Sequence, residues 1–347
     1  MATCFIYLFL NMLYNIGTTG GGTLYLMTGE PLQRSLKERL QAFLHACGIA
    51  YDPCVQFTAL LMEEDEILAT GSMDGSVIKC VAVSPVHQGE DLTGQIMTVL
   101  LQRAAEKGLC RLMLYTKPHN QHLFAAFGFH PVIRTADVLL MENQRAGLEG
   151  FLAGLTKPAD DRGPVGCIVA NANPFTLGHR YLVERAAAEC AWLHLFILSE
   201  DRGMFPAEKR LQMARAACAD LPNVLVHPTG PYMVSSATFP TYFLKDKHHA
   251  AEAHCELDVR LFGERIAPAL GITRRYVGSE PLCPVTAGYN AHMKALLPEY
   301  GVQLIEIERK TDADGPISAS RVRMLLAEGN SDALAALLPV AVLHEIT

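Results

Sequence analysis

The stretch from Gly166 to Cys190 constrains the fold most. Gly166-Cys167-Ile168-Val169-Ala170 is an apolar run without alternation, and Asn171-Ala172-Asn173-Pro174 is a tight polar turn. Leu177-Gly178-His179 then opens the helical pattern Tyr181, Leu182, Arg185, Ala186 and Cys190. The order is strand, loop, helix N-terminus. The first backbone N–H groups of a helix have no partner within it and sit at the positive end of its dipole, so this point favours phosphate. Gly178 removes a side chain where a ligand can approach the backbone. His179 places an imidazole donor on the same turn.

The alternation continues to the C-terminus. Strands are expected at Val165–Asn171, Leu193–Leu198, Asn223–His227, Thr273–Val277 and Val302–Ile307. Helices are expected at Leu177–Cys190, Ala207–Ala217, Leu257–Ala267, Thr286–Leu297 and Ser320–Leu326. Continuous apolar strands between helices make an α/β fold with a doubly wound parallel sheet. Ligands sit beyond the carboxyl ends of such strands, where Thr176, His179, Glu280 and the segment Ser318–Arg323 can converge. In Pro316-Ile317-Ser318-Ala319-Ser320-Arg321-Val322-Arg323, either Ser318 or Ser320 can cap the following helix. Arg210 is expected to orient the loop after the second strand, and Lys209 to be solvated. Tyr232–Lys245, with Ser235, Ser236, Thr238, Phe239, Tyr242 and Lys245, suits a substrate loop and an ordinary surface loop equally.

Thr176-Leu177-Gly178-His179 resembles the (H/T)xGH signature of the nucleotidyltransferase superfamily, and Ile317–Arg323 resembles its ISSTxIR phosphate-binding element. They lie about 140 residues apart, within one domain of ordinary size. With Ala237-Thr238-Phe239-Pro240 and Val277-Gly278-Ser279-Glu280-Pro281, the chain from about Gly29 onward resembles the citrate lyase ligase family. That resemblance implies a ligase that activates acetate with ATP and a divalent cation, Mg²⁺, as acetyl-adenylate. The acetyl group then passes to the thiol of the phosphoribosyl-dephospho-coenzyme A arm on the citrate lyase acyl carrier subunit. It further implies catalytic roles for Thr176, His179 and Arg323. ATP or phosphate contacts fall on Asn173, Phe175, Gly178, Glu280, Ser318 and Ser320. Two rival readings remain: an adenylyltransferase of the pantetheine-phosphate type, and a non-catalytic nucleotide-binding scaffold.

The N-terminal half has a different pattern. A helix fits Leu32–Ala46, with Leu36, Leu40, Phe43 and Leu44 on one face. Strands fit Thr58–Glu63, Ile67–Ser72, Val77–Val83 and Arg111–Thr116, and helices fit Leu92–Lys107 and His119–Phe127. This α+β order, with Asn120, Phe124 and Phe127-Gly128-Phe129, resembles the GNAT acyltransferase fold. Gln88, Gly89 and Asn120 would then hold the prosthetic arm. The loop Gln88-Gly89-Glu90-Asp91-Leu92-Thr93 departs from the GNAT phosphate loop, because Asp91 replaces a glycine and its carboxylate opposes a pyrophosphate. The partition is residues 1–27 unassigned, 28–145 GNAT-like, 146–162 linker and 163–347 adenylating.

Composition supplies limits. A net charge of −7 argues against a general nucleic-acid binder. Ten cysteines without a C-x-x-C pair suit reduced thiols in a cytoplasmic protein. His248, His249, His254 and Cys255 fit no standard zinc spacing, so no metal site is expected. The apolar Cys4–Leu13 run has no basic flank and is too short to span a bilayer, so no membrane association is expected. Thr18–Thr23 reads as a flexible linker.

Overall fold

Residues 12–19, 22–158, 163–233, 239–244, 247–280, 284–330 and 332–346 are described in this computed structural model. Ala237, Thr238, Ser235, Ser236, Lys245, Pro281, Cys4 and Cys283 lie outside the described residues. The chain divides into two units, Met1–Gly147 with Pro240–Ala253, and Leu148–Phe239 with His254–Thr347.

The first unit is built from β1 (Met12–Thr19), β2 (Gly22–Gly29), α1 (Arg34–Ala46), β3 (Phe57–Glu63), β4 (Glu66–Asp74), β5 (Val77–Val83), α2 (Leu92–Glu106), β6 (Met113–Thr116), α3 (Gln121–Ala125), β7 (His130–Arg134) and β8 (Leu139–Glu142). Its sheet runs β1-β2-β3-β4-β5-β6-β8-β7. The first five strands pair antiparallel in sequence order. Thr18–Thr23 was expected as a linker, yet its described residues are strand residues of the β1–β2 hairpin, and β2 pairs with β3. Strands β5 and β6 are parallel and meet at only two rungs, Val77–Met113 and Ile78–Leu114. Cys80 has a left-handed backbone (φ 52°), and the β4–β5 register shifts beside it. β4 and β5 pair again past the bulge, whereas β5 and β6 share no rung beyond Ile78–Leu114. The core lies between the sheet and α2, whose Leu92, Ile96, Met97, Leu100 and Ala104 follow a helical stripe. Residues 240–253 belong to this unit, although they follow the expected boundary by a long way. Their anchors are a bond from the Tyr242 hydroxyl to the Tyr115 carbonyl and one from the Ala50 N–H to the Tyr242 carbonyl.

The second unit contains α4 (Gly147–Ala153), β9 (Val165–Ala170), α5 (Leu177–Ala188), β10 (Trp192–Ile197), α6 (Ala207–Ala217) and β11 (Val224–Pro228). Next come α7 (Lys247–Leu261), which enters this unit at His254, a π-helical turn (Phe262–Ile266) and α8 (Ala267–Leu270). Then follow β12 (Arg274–Gly278), α9 (Pro284–Leu296), β13 (Gln303–Ile307), β14 (Thr311–Asp312), β15 (Gly315–Pro316), α10 (Ala319–Ala327) and α11 (Val340–Ile346). α4 occupies part of the stretch expected as linker, and Leu148 and Leu152 on it are buried. α7 begins ten residues before the expected Leu257. Five parallel strands run in the order β11-β10-β9-β12-β13. The strand order therefore reverses between β9 and β12, and such a reversal opens a crevice at the carboxyl ends of those two strands. Among the described residues no helix is long and apolar enough to cross a membrane. Cys80, Cys167, Cys218 and Cys255 are buried free thiols, and burial pushes each up to about 12.

Candidate functional site

Strand β9 delivers the chain into the crevice. Thr176 is the N-cap of α5, with the extended backbone of that position. Its hydroxyl accepts from the His179 N–H, and its own N–H donates to His179 Nδ1 at 3.0 Å. The hydroxyl also lies 2.9 Å from Nδ1. A ring nitrogen that accepts a backbone N–H carries no proton, so the imidazole proton sits on Nε2. Desolvation first, and the Arg309 guanidinium second, push the His179 pKa down to about 4. At neutral pH the residue is a neutral Nε2–H donor at a helix N-terminus.

The second motif is brought to the same place. Ser318 caps α10, accepting from the Arg321 N–H at 3.2 Å. Arg323 donates to the Asn173 carbonyl at 2.6 Å and to Ser320 Oγ at 3.0 Å. A Cβ on Gly178 would overlap the Ile317 carbonyl oxygen. The glycine is thus required for close approach of the chain to itself, and what it docks is the first turn of α5 against the second motif.

Burial limits what the side chains of several expected contact residues can offer. Phe175 is fully buried in the core with Ile168, Val183, Ile317 and Val322, its ring centroid 5.4 Å from that of His179. Asn173 is buried and accepts from the Phe205 N–H at 3.0 Å, so its side chain fastens the loop after β10. The Thr176 side chain is also buried, and it orients His179. Arg210 is fully buried and donates to the carbonyls of Asn171, Phe205 and Glu200, which fits its expected loop-orienting position. Lys209 pairs with Glu345. Arg321 is engaged by Asp312 and Asp314.

Glu280 follows β12 but is paired with Arg309. Arg309 was missed by motif reading. It follows the fifth apolar strand, where an Arg-Lys pair at a carboxyl end was the available signal. Its Nε donates to the Ser279 carbonyl at 2.7 Å and its N–H to Ser279 Oγ at 3.3 Å. Among the described residues no three His, Cys, Asp or Glu side chains converge to hold a metal ion. His254 instead packs on Phe239 and Tyr289.

In the first unit a cavity of about 490 Å³ opens where β5 and β6 part. Gln88, Thr93, Thr116, Asn120 and Tyr242 line it. Gly89 has φ 98° and is exposed in the preceding loop. Asp91, the residue before α2, has φ 56°, the region a glycine would fill more readily. Its carboxylate lies where a Cβ on Gly94 would be, over the first turn of α2.

Residues 165–346 match the family described as the citrate lyase ligase C-terminal domain, and residues 29–129 match the acetyltransferase (GNAT) family. The citrate (pro-3S)-lyase ligase of Klebsiella pneumoniae is 41% identical over 308 residues, 87% of this chain and 90% of that one. The enzyme of the same name from Haemophilus influenzae is 40% identical over 313 residues, 88% and 93% of the two chains. A phosphopantetheine adenylyltransferase from Staphylococcus carnosus is 37% identical over 62 residues, 17% of this chain and 38% of that one.

Proposed function

The chain belongs to the citrate lyase ligase family, and from that membership we propose that it activates acetate with ATP and acetylates the thiol arm of the citrate lyase acyl carrier subunit in the cytoplasm. The observation that carries the proposal is the meeting of two motifs at the β9–β12 reversal, through the Arg323 bond to the Asn173 carbonyl and the contact of Gly178 with Ile317. ATP phosphates lie against the α5 N-terminus and the α10 start. An acetate oxygen attacks the α-phosphorus, the bond to the β-phosphate oxygen breaks, and acetyl-adenylate and pyrophosphate form. No protein nucleophile is required, so positioning and preorganised donors carry the step. His179 Nε2–H and the Arg323 guanidinium stabilise the phosphate charge, while Thr176 holds the imidazole. Ser318 and Ser320 fix the α10 turn. The divalent cation enters with the nucleotide as MgATP, since no described carboxylate cluster is free to hold it.

The arm's thiol then attacks the acyl carbon, a thioester forms, AMP departs and the thiol proton passes to water. The cavity between β5 and β6, with Gln88 and Asn120 on its wall, is of a size a pantetheine-like arm can fill. The test is pyrophosphate release from ATP by the full chain. Release that requires acetate, with AMP formed only when the deacetylated acyl carrier subunit is added, upholds the proposal. Release driven by phosphopantetheine without acetate supports an adenylyltransferase instead.

A further inference from the structure

Several arginines surround the two motifs, and Arg180, Arg210 and Arg321 are committed to the protein, Arg180 by Glu184 and Asp220. Arg210 is fully buried among carbonyls. Arg321 is held by two aspartates. Arg323 ties Asn173 to Ser320. Arg309 is different. Its Nε is fixed on the Ser279 carbonyl and its Nη2 on Glu280, but Nη1 has no hydrogen-bond partner among the described residues. The Glu280 side chain is 7% exposed and that of Arg309 is 31% exposed, so the pair turns its cationic end outward. Arg309 follows β13, Glu280 follows β12 and His179 follows β9, three adjacent strands on the side of the sheet where the reversal lies. Arg309 is also the charged group whose field reaches His179.

We infer that Arg309 is a phosphate-contacting residue of the nucleotide site, with Glu280 as its positioning partner rather than a ligand of the nucleotide. The inference rests on the nucleotide reading of this end of the sheet. A carboxylate beside a triphosphate is repelled. A guanidinium anchored on one edge presents its other edge as a preorganised fork for phosphate oxygens. Glu280 also keeps that guanidinium in place when no nucleotide is bound.

The experiment uses the full chain and three variants: Arg309→Lys, Arg309→Gln, and the double Arg309→Gln/Glu280→Gln, in which no new buried carboxylate is left without its cation. Equilibrium ATP binding is measured without acetate, and acetate-dependent exchange of labelled pyrophosphate into ATP is measured separately. The expected result for both glutamine-containing variants is about tenfold or more weaker ATP binding and a higher KM for ATP, the KM for acetate unchanged. Arg309→Lys recovers part of the loss. The acid limb of the exchange activity moves to higher pH, because removing a cation raises the pKa of His179. A folded double variant with wild-type ATP binding overturns the inference. If Arg309→Gln alone does not fold, the double variant decides. Wild-type protein without acetate-dependent exchange defeats the proposed function, while a tenfold loss of ATP binding in the double variant still upholds Arg309.

Discussion

Both units put a loop and a helix N-terminus at the end of an apolar strand, and they finish that arrangement in opposite ways. In the second unit the loop before α5 ends in Thr176 and His179, whose mutual bonds satisfy the cap and leave Nε2–H as a neutral donor. In the first unit the loop before α2 ends in Asp91, whose carboxylate lies over the helix's own first turn. One helix start offers positive potential to an incoming anion, and the other already has a negative charge beside it. The geometry of a helix terminus alone does not make an anion site, since a single side chain at the cap decides whether the dipole is available.

Removing the donor breaks the comparison most directly. His179→Ala should lower acetate-dependent pyrophosphate release by about 10²–10³-fold, the usual cost of one transition-state donor. Thr176 still accepts from the N–H of residue 179, so far-ultraviolet circular dichroism should be unchanged. Near-normal turnover would remove His179 from the reaction.

Gly178→Ala tests whether docking of the two motifs matters. The added methyl meets the rigid Ile317 carbonyl, so the helix must shift, at a cost of about 1–3 kcal/mol. Denaturant unfolding should register that loss, and ATP affinity should fall with it. An unshifted unfolding midpoint would mean that α5 and the second motif do not approach so closely.

Arg323→Lys keeps the charge but loses the planar fork that spans Asn173 and Ser320. The expected outcome is roughly tenfold weaker use of ATP, the cost of about one charge-assisted hydrogen bond, with acetate affinity little changed. Unaltered ATP kinetics with a lower melting temperature would assign Arg323 to structure alone.

The smallest effect is expected in the first unit. Asp91→Gly relieves a left-handed backbone and removes the carboxylate from the α2 start. Adenylation should not change, and acetyl transfer to the acyl carrier subunit should rise a few-fold as a like-charge contact disappears. Slower transfer would mean that the carboxylate contributes to arm recognition.

Local chemistry was legible in the sequence where it decided the outcome. The five parallel strands stand within a residue or two of their expected positions, most plainly β9 and β10, which are apolar runs buried by their neighbours on both sides. Ser318 could be read as a cap because capping depends on a residue and the next few after it. β7 and β8 escaped notice, since they are short and too poor in alternation to separate from turn or helix. β1 and β2 escaped because the glycines where they meet lower strand propensity, and pairing with β3 overrides that. At the site, the burial of Asn173 and Phe175 depends on the loop after β10 and on the α10 region. The Arg309–Glu280 pair joins residues from two different strands. Neither is written in any short window of sequence.

The return of residues 240–253 to the first unit has a consequence for biosynthesis. Tyr242 supplies part of the cavity wall and a bond to the Tyr115 carbonyl, so the unit that is translated first cannot be completed first. At ordinary elongation rates the ribosome needs roughly 5–20 s to travel from residue 147 to residue 253. During that interval the splayed edge of β6 faces water or a chaperone. A fragment that stops at residue 147 would remain in that state indefinitely.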